Sequence, residues 1–385
     1  MRTASCLLTV AALAAHGVLE PSPAALQLPP EESVTRHPVY SSAPSDEAVH
    51  KLLSKVGGTL EEAVNSSRLE WSDKQLDDDD AKVVAHVISA SPSLMVLHLG
   101  TNAIGDTGAA AIAEVLKVNT VLGILQLQEN QIADAGGTAL SEALSVNTRL
   151  RILSLNSNSI GNAGAVTIGA ALGVNERIEK LELNFNKIGD TGGVAIATAL
   201  GYNAVLRVLH LGHNQVGDAT ATTMARALRV NSTVLRVLYL STNNIGHRGG
   251  VAFGETLRVN VVLQDLNLAS NQIGDEGAVA IAGALRVNPV MYKLSLRLNQ
   301  IGDAGATAIA EALSVNTVLV EFYCGGNQIG KDSKNKLKDA VRGRPDSEGR
   351  EAEGRKGGGG DVPFNAPHPD ALPALSLIES TGDIF

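Results

Sequence analysis

The sequence predicts a curved α/β solenoid, a horseshoe with parallel strands on its concave face and helices on its convex face. Three observations predict it: an Asn recurring at a fixed interval, a short alternating apolar motif before each Asn, and a helical apolar period after it. The Asn series is Asn102, Asn130, Asn158, Asn186, Asn214, Asn243, Asn271, Asn299 and Asn327, with every step 28 residues except the one of 29 that ends at Asn243.

The strand comes first in each unit. Five and three residues before the Asn stand Leu97 and Leu99, and likewise down the chain to Leu294 and Leu296, ending in Phe322 and Cys324. Apolar residues two apart with a polar one between them mark a short strand with one buried face. Two positions after the Asn comes Ile104 or its counterpart, with Gly usually next. Ala109, Ile112, Ala113 and Leu116 then recur at i, i+3, i+4 and i+7, an amphipathic helix whose small inner residues let it lie close to the sheet. A second Asn closes each helix, at 119, 147, 175, 203, 231, 260, 288 and 316, where a left-handed C-terminal turn is expected.

One such unit cannot bury its apolar face alone, so units stack and share a continuous core. Parallel strands lie about 4.8 Å apart and packed helices about 8–10 Å apart, so the helical side fans outward and the strands line the concave side. Upstream, Leu69 and Trp71 hold the strand positions of a degenerate first unit in which Lys74 replaces the Asn. Ten units, counting that one and a charged last one, fill residues 66–341, and residues 46–65 are expected to form a helical N-terminal cap. Residues 18–45 and 342–385, rich in Pro, Ser and Gly, read as a disordered linker and a disordered tail.

Composition narrows the function. Aromatics are 3% of the 385 residues, so the core is aliphatic, and a net charge of −9 without a basic stripe argues against nucleic-acid binding. Two cysteines, Cys6 and Cys324, are too few for a disulfide framework. Arg2 followed by the apolar run from Cys6 to Ala15 reads as a signal peptide over residues 1–17, placing the protein in the secretory pathway, with a cytoplasmic protein as the alternative. The run is too short to span a bilayer, so the mature chain is not expected to insert into a membrane.

The unit L-x-x-L-x-L-x-x-N-x-I-G-D-x-G-x-x-x-[LI]-A-x-x-L-x-x-N resembles the ribonuclease-inhibitor type of leucine-rich repeat, found also in NOD-like receptors and Ran GTPase-activating proteins. The likeness covers residues 66–341. It implies a non-enzymatic interaction scaffold that binds a protein through the concave face, with GTPase activation of the Ran-directed type as the alternative. A nucleotide-binding domain like that of the receptors is not expected in these residues, nor is the long acidic tail of the activating proteins.

Several motifs invite chemistry and have blander readings. The Asn ladder is expected to satisfy backbone groups of the turns rather than a ligand. Gly325 to Lys331 nearly spells a phosphate loop, but Asp332 stands where a Ser or Thr is required. Asp77 to Asp80 reads as a solvated acidic helix start. Cys324 is expected to be a buried thiol. Asn65 and Asn231 begin glycosylation sequons, and residues 371–385 hold apolar residues that suit a docking peptide.

The informative positions point outward from the strands, where the core does not dictate the residue. Four before each Asn stand His98, Gln126, Ser154, Glu182, His210, Tyr239, Asn267, Ser295 and Tyr323. Glu182, His210 and Tyr239 are expected to be successive neighbours, with Phe185 and His213 on the adjoining rim, forming a partner-binding patch. Glu182 beside His210 is expected to favour the imidazolium form. No metal, cofactor or catalytic constellation follows from the spacing. The expected protein is a monomer with a protein partner.

Overall fold

The computed structural model describes residues 43–230 and 233–342. The expected signal peptide, nearly all of the linker, the Asn231 sequon and the tail from residue 343 onward lie outside them. After α1 (Asp46–Val56) and α2 (Leu60–Asn65), strands and helices alternate. The first half runs β1 (Arg68–Glu70), α3 (Asp78–Ala90), β2 (Val96–His98), α4 (Asp106–Leu116), β3 (Ile124–Gln126), α5 (Asp134–Val146), β4 (Ile152–Ser154), α6 (Asn162–Leu172), β5 (Lys180–Glu182) and α7 (Asp190–Leu200). The second runs β6 (Val208–His210), α8 (Asp218–Leu228), β7 (Val237–Tyr239), α9 (His247–Leu257), β8 (Asp265–Asn267), α10 (Asp275–Leu285), β9 (Lys293–Ser295), α11 (Asp303–Leu313), β10 (Glu321–Tyr323) and α12 (Lys331–Arg342).

The ten strands form one open parallel sheet in sequence order. Their register puts like on like: Leu97 pairs with Leu125, Leu181 with Leu209, and Leu294 with Phe322. Each helix packs on the next along the other layer. Strand spacing and helix spacing differ, so the array curves with the sheet inside, a solenoid of the expected kind. Leu125, Leu127 and Ile132, with their counterparts in the inner units, are buried between the layers, whereas Phe322 and Cys324 of the last unit are half-buried.

Two ladders of polar side chains tie the units together. Asn130 donates through Nδ2 to the Leu99 carbonyl of the preceding unit (2.9 Å) and to Leu127 of its own, while its Oδ1 accepts the Ile104 N–H at 3.0 Å. The second ladder runs along the helix starts. Asp106 Oδ1 accepts the N–H groups of Ala133 and Gly136, at the start of the next unit's helix, at 2.7 and 2.8 Å. Helices α5 and α6 have no side-chain cap of their own, and each is capped by its predecessor.

Four expectations require correction. The described Asn residues that close the helices are not left-handed; Asn147, for example, has φ −70°. Asn175 shows why: its Oδ1 accepts the N–H groups of Arg177 and Ile178 at 2.8 Å, and its Nδ2 reaches the Leu144 carbonyl at 2.7 Å. The side chain makes the turn, so the backbone need not. Left-handed backbone falls instead just before the ladder Asn, at Thr101, Glu129, Ser157, Phe185, His213, Thr242, Ser270 and Leu298, with φ from 52° to 57°.

Asp77 to Asp80 is not a simply solvated helix start. Asp80 is 1% exposed, holds the Asp77 N–H and pairs with Lys55 of α1, while Asp77 caps α3 and pairs with Lys51. The carboxyls therefore clamp α1 to the first full helix. Burial acts to raise the Asp77 carboxyl, but the Lys51 and Asp80 hydrogen bonds outweigh it and hold the group well below the usual range. Cys324 is half-buried rather than enclosed, and that burial still pushes its thiol up to about 11. In the outward column, Ser154 and Ser295 are short enough to be covered, at 2% and 7% exposure, and His98, at 6%, is held against Glu70.

Candidate functional site on the concave face

Each strand presents two residues to the concave side, its first and its third, because side chains alternate across a sheet. The third positions form the column read from the sequence. The first positions run Val96, Ile124, Ile152, Lys180, Val208, Val237, Asp265, Lys293 and Glu321. Polar residues enter this second column chiefly toward the C-terminal end.

Register places Glu182 against His210 and His210 against Tyr239. The His210 ring lies flat on Tyr239, with centroids 4.5 Å apart and planes 4° from parallel. Its Nδ1 is 3.4 Å from Glu182 Oε1, and the same oxygen takes Lys180 Nζ at 2.9 Å. Burial acts to raise the Glu182 carboxyl, but His210 and Lys180 outweigh it and bring it to about 2. Glu182 is thus ionised and held from two sides. Tyr239 extends the chain of contacts by donating its hydroxyl to Asp265 Oδ2 at 2.9 Å.

Phe185 and His213 form a separate pair in the turns. Both have left-handed backbone, which lets the Phe185 N–H reach the Gly212 carbonyl and the His213 N–H reach the Ser241 carbonyl. Their rings stack at 3.8 Å with planes 13° apart. His213 Nε2 lies 3.3 Å from Thr242 Oγ1, and burial lowers the pKa of this imidazole. Phe185 remains 52% exposed. Four of the five residues singled out from the sequence therefore form two ring stacks, one along the strands and one along the turns, and Glu182 borders the first.

The arrangement offers flat aromatic surface beside an oriented carboxylate. Among the described residues no three His, Cys, Asp or Glu side chains are placed to hold a metal ion. At the N-terminal end, His98 Nδ1 lies 2.6 Å from Glu70 Oε2, using up that histidine. Asp265 was missed by sequence reading, although its departure from the Val and Ile of its column was visible. No described helix is long and apolar enough to cross a membrane.

The family model described as Leucine Rich repeat matches residues 90–113, 118–141, 146–169, 174–197, 202–225, 231–254, 259–282 and 287–310. The chain is a leucine-rich repeat protein. Comparison with curated proteins gives no match. Among solved structures, an internalin (inlF) of Listeria monocytogenes is 18% identical with a TM-score of 0.39, covering 76% of this chain and 91% of its own. The ectodomain of the Arabidopsis receptor kinase HAESA, in complex with an N-terminally extended IDA peptide hormone, is 18% identical with a TM-score of 0.43, covering 68% of this chain and 38% of its own. Leiomodin-1 actin-binding site 2 is also 18% identical, with a TM-score of 0.31, covering 46% of this chain and 86% of its own. In this leucine-rich repeat protein, the core and both ladders use the repeating positions and leave the concave columns free to differ from unit to unit.

Proposed function

We propose that this leucine-rich repeat protein is an interaction scaffold that holds a protein partner on its concave face, with Glu182, Phe185, His210, His213 and Tyr239 as the anchor set. The observation that carries the reading is the His210–Tyr239 stack fixed at one edge by Glu182 and at the other by Asp265. Side chains already locked by their neighbours lose little entropy when a partner covers them. The array is of the ribonuclease-inhibitor type; a full 11-residue helix in nearly every unit, α4 and α11 for example, supports that assignment.

The test is partner capture with the wild type and with a Glu182→Ala, His210→Ala, Tyr239→Ala triple variant, after thermal unfolding shows that both are folded. Loss of a stoichiometric partner from the variant supports the reading, and equal retention removes the patch. Adding catalytic amounts of the protein to a captured small GTPase separates the scaffold from GTPase activation of the Ran-directed type: accelerated hydrolysis favours the latter.

A further inference from the structure

Asp265 opens β8 on the concave face, between Val237 of β7 and Lys293 of β9 in register. One carboxyl oxygen accepts the Tyr239 hydroxyl; the other, Oδ1, is buried without a hydrogen-bond partner. A buried acceptor left unmet is unfavourable, and burial holds this carboxyl above its usual range while Lys293 acts against that. Beside it lies a cavity of about 430 Å³, walled by Val237, Pro289, Val290, Tyr292 and Val318. That size suits a single side chain or small ligand.

Two of the walls depart from the repeat, while Val290 and Val318 hold a position that is also Val at 121, 205 and 262. Pro289 occupies the position held by Thr120, Thr148 and Thr317 in other units, and Tyr292 the position of Arg151, Glu179 and Arg207. Three residues that depart from their columns, Asp265, Pro289 and Tyr292, converge on one cavity. Asp265 and Gln264 line the same cavity, and apolar walls beside a carboxylate match an aliphatic stem ending in a cationic N–H donor. The surrounding charges agree. Lys293 lies 3.2 Å from Glu321 and also acts on Asp265, so the three groups together leave one negative charge. The other titratable groups facing Asp265 are Tyr239, His210 on the far side of Tyr239, and Tyr323. An acidic ligand would meet repulsion here, and a purely apolar one would gain nothing from the carboxylate.

We propose that the cavity beside Asp265 receives a basic side chain, lysine or arginine, presented by the protein bound on the concave face. The identity of its donor as a protein rests on the scaffold reading; the chemistry of the cavity does not. The pocket sits next to the His210–Tyr239 stack through the shared Tyr239–Asp265 hydrogen bond, so one extended partner segment covers both.

The test titrates the full chain with Nα-acetyl-arginine methylamide and with its citrulline analogue, alike in shape but uncharged, followed by saturation-transfer NMR. Saturable millimolar binding of the arginine probe, weaker by about tenfold or more for citrulline, is expected. Asp265→Asn should cause a similar loss. Val290→Trp, which fills the cavity and keeps the carboxylate, should also abolish binding, and it decides the matter if the first variant fails to fold. A Glu142→Ala variant, altered on an exposed helix of the opposite layer, should bind the probe as the wild type does. Absence of saturable binding, equal binding of the two probes, or binding that survives Val290→Trp overturns the proposal. The probe needs no partner, so its failure leaves the capture experiment to judge the scaffold, and failure of capture leaves the cavity standing.

Discussion

Asp134 Oδ1 accepts the N–H of Gly161 at 2.7 Å, and also that of Gly164 at 2.8 Å, so the helix of one repeat is capped by the helix start of the repeat before it. Replacing Asp134 by Ala leaves two donors at the start of α6 unmet and should lower stability by about 1 kcal/mol. Asn162 does the same for Gly189 and Gly192 without a charge, at 3.0 and 2.9 Å. Asn162→Asp adds a favourable charge at a helix N-terminus and should be neutral or stabilising by a few tenths of a kcal/mol. Urea midpoints of the two variants check both, and equal shifts would show that the ladder is ornamental.

The ladder has one gap. His247 stands where Asp is usual and offers no such acceptor to α10, and a side chain added at Gly274 would meet open space. His247→Asp should extend the ladder across this junction and stabilise the array by about 1 kcal/mol. Because repeat arrays share stability between neighbours, hydrogen exchange in α9 and α10 should slow more than exchange in α4. Uniform or absent slowing would count against the capping account.

At the same junction α9 and α10 touch through backbone. A Cβ on Gly254 would lie 2.4 Å from the Ala280 carbonyl carbon, which cannot move aside as a flexible side-chain tip can. Gly254→Ala should therefore destabilise by about 1–3 kcal/mol. Gly283, in α10, has only the Arg258 guanidinium within 4 Å, at 3.9 Å. There the better helix propensity of Ala acts unopposed, and Gly283→Ala should stabilise by about 0.5–1 kcal/mol. Thermal unfolding of the pair gives opposite signs if close helix approach is the cause.

The strands, the helices and the leucine seam were legible because one local pattern recurs nine times and each recurrence corrects for noise in the others. The neighbour relations of Glu182, His210 and Tyr239 followed from the same arithmetic, since register in a parallel stack is set by the repeat length. What was not legible depends on distances between units. Burial of His98 and Ser154 needs the reach of neighbouring side chains. The second Asn could equally close a turn with its backbone or its amide, and only the 2.7 Å approach of Asn175 to Leu144 decides for the amide. The role of Asp80 required knowing that α1 brings Lys55 beside it. Asp265 escaped notice because its significance lies in Tyr239, Pro289 and Tyr292, none of them its neighbours in sequence.

Asn214 shows what the inner ladder contributes. Its Nδ2 meets the Leu183 carbonyl at 2.9 Å and its Oδ1 the Ile188 N–H at 3.0 Å, both in the preceding unit, and its exposure is only 9%. Asn214→Ala orphans buried groups in two units and should destabilise by about 3 kcal/mol, taking 1–3 kcal/mol per unmet group. Asn214→Asp keeps the acceptor but loses the donor and places a carboxylate against carbonyls, so it should be no better. Denaturant unfolding of both variants is the check; a loss below that of Asp134→Ala would show that water replaces the amide.

Glu182 carries the pH dependence of the concave face. Its carboxyl lies at about 2 in the fold against an ordinary 4.5, because His210 and Lys180 overcome the opposing effect of burial. A depressed folded value means that ionised Glu182 stabilises the fold fully above pH 4.5 and that the contribution is lost as pH falls through about 2. With a side-chain exposure of 15%, screening by solvent is modest, and the shift corresponds to about 3 kcal/mol at neutral pH. Glu182→Gln should therefore be less stable than the wild type at pH 7 by up to that amount. The gap should narrow between pH 4.5 and 2 and close below it. Unfolding midpoints measured across that window check the sign as well as the size. Parallel curves for the two proteins would mean that neither His210 nor Lys180 holds the carboxylate.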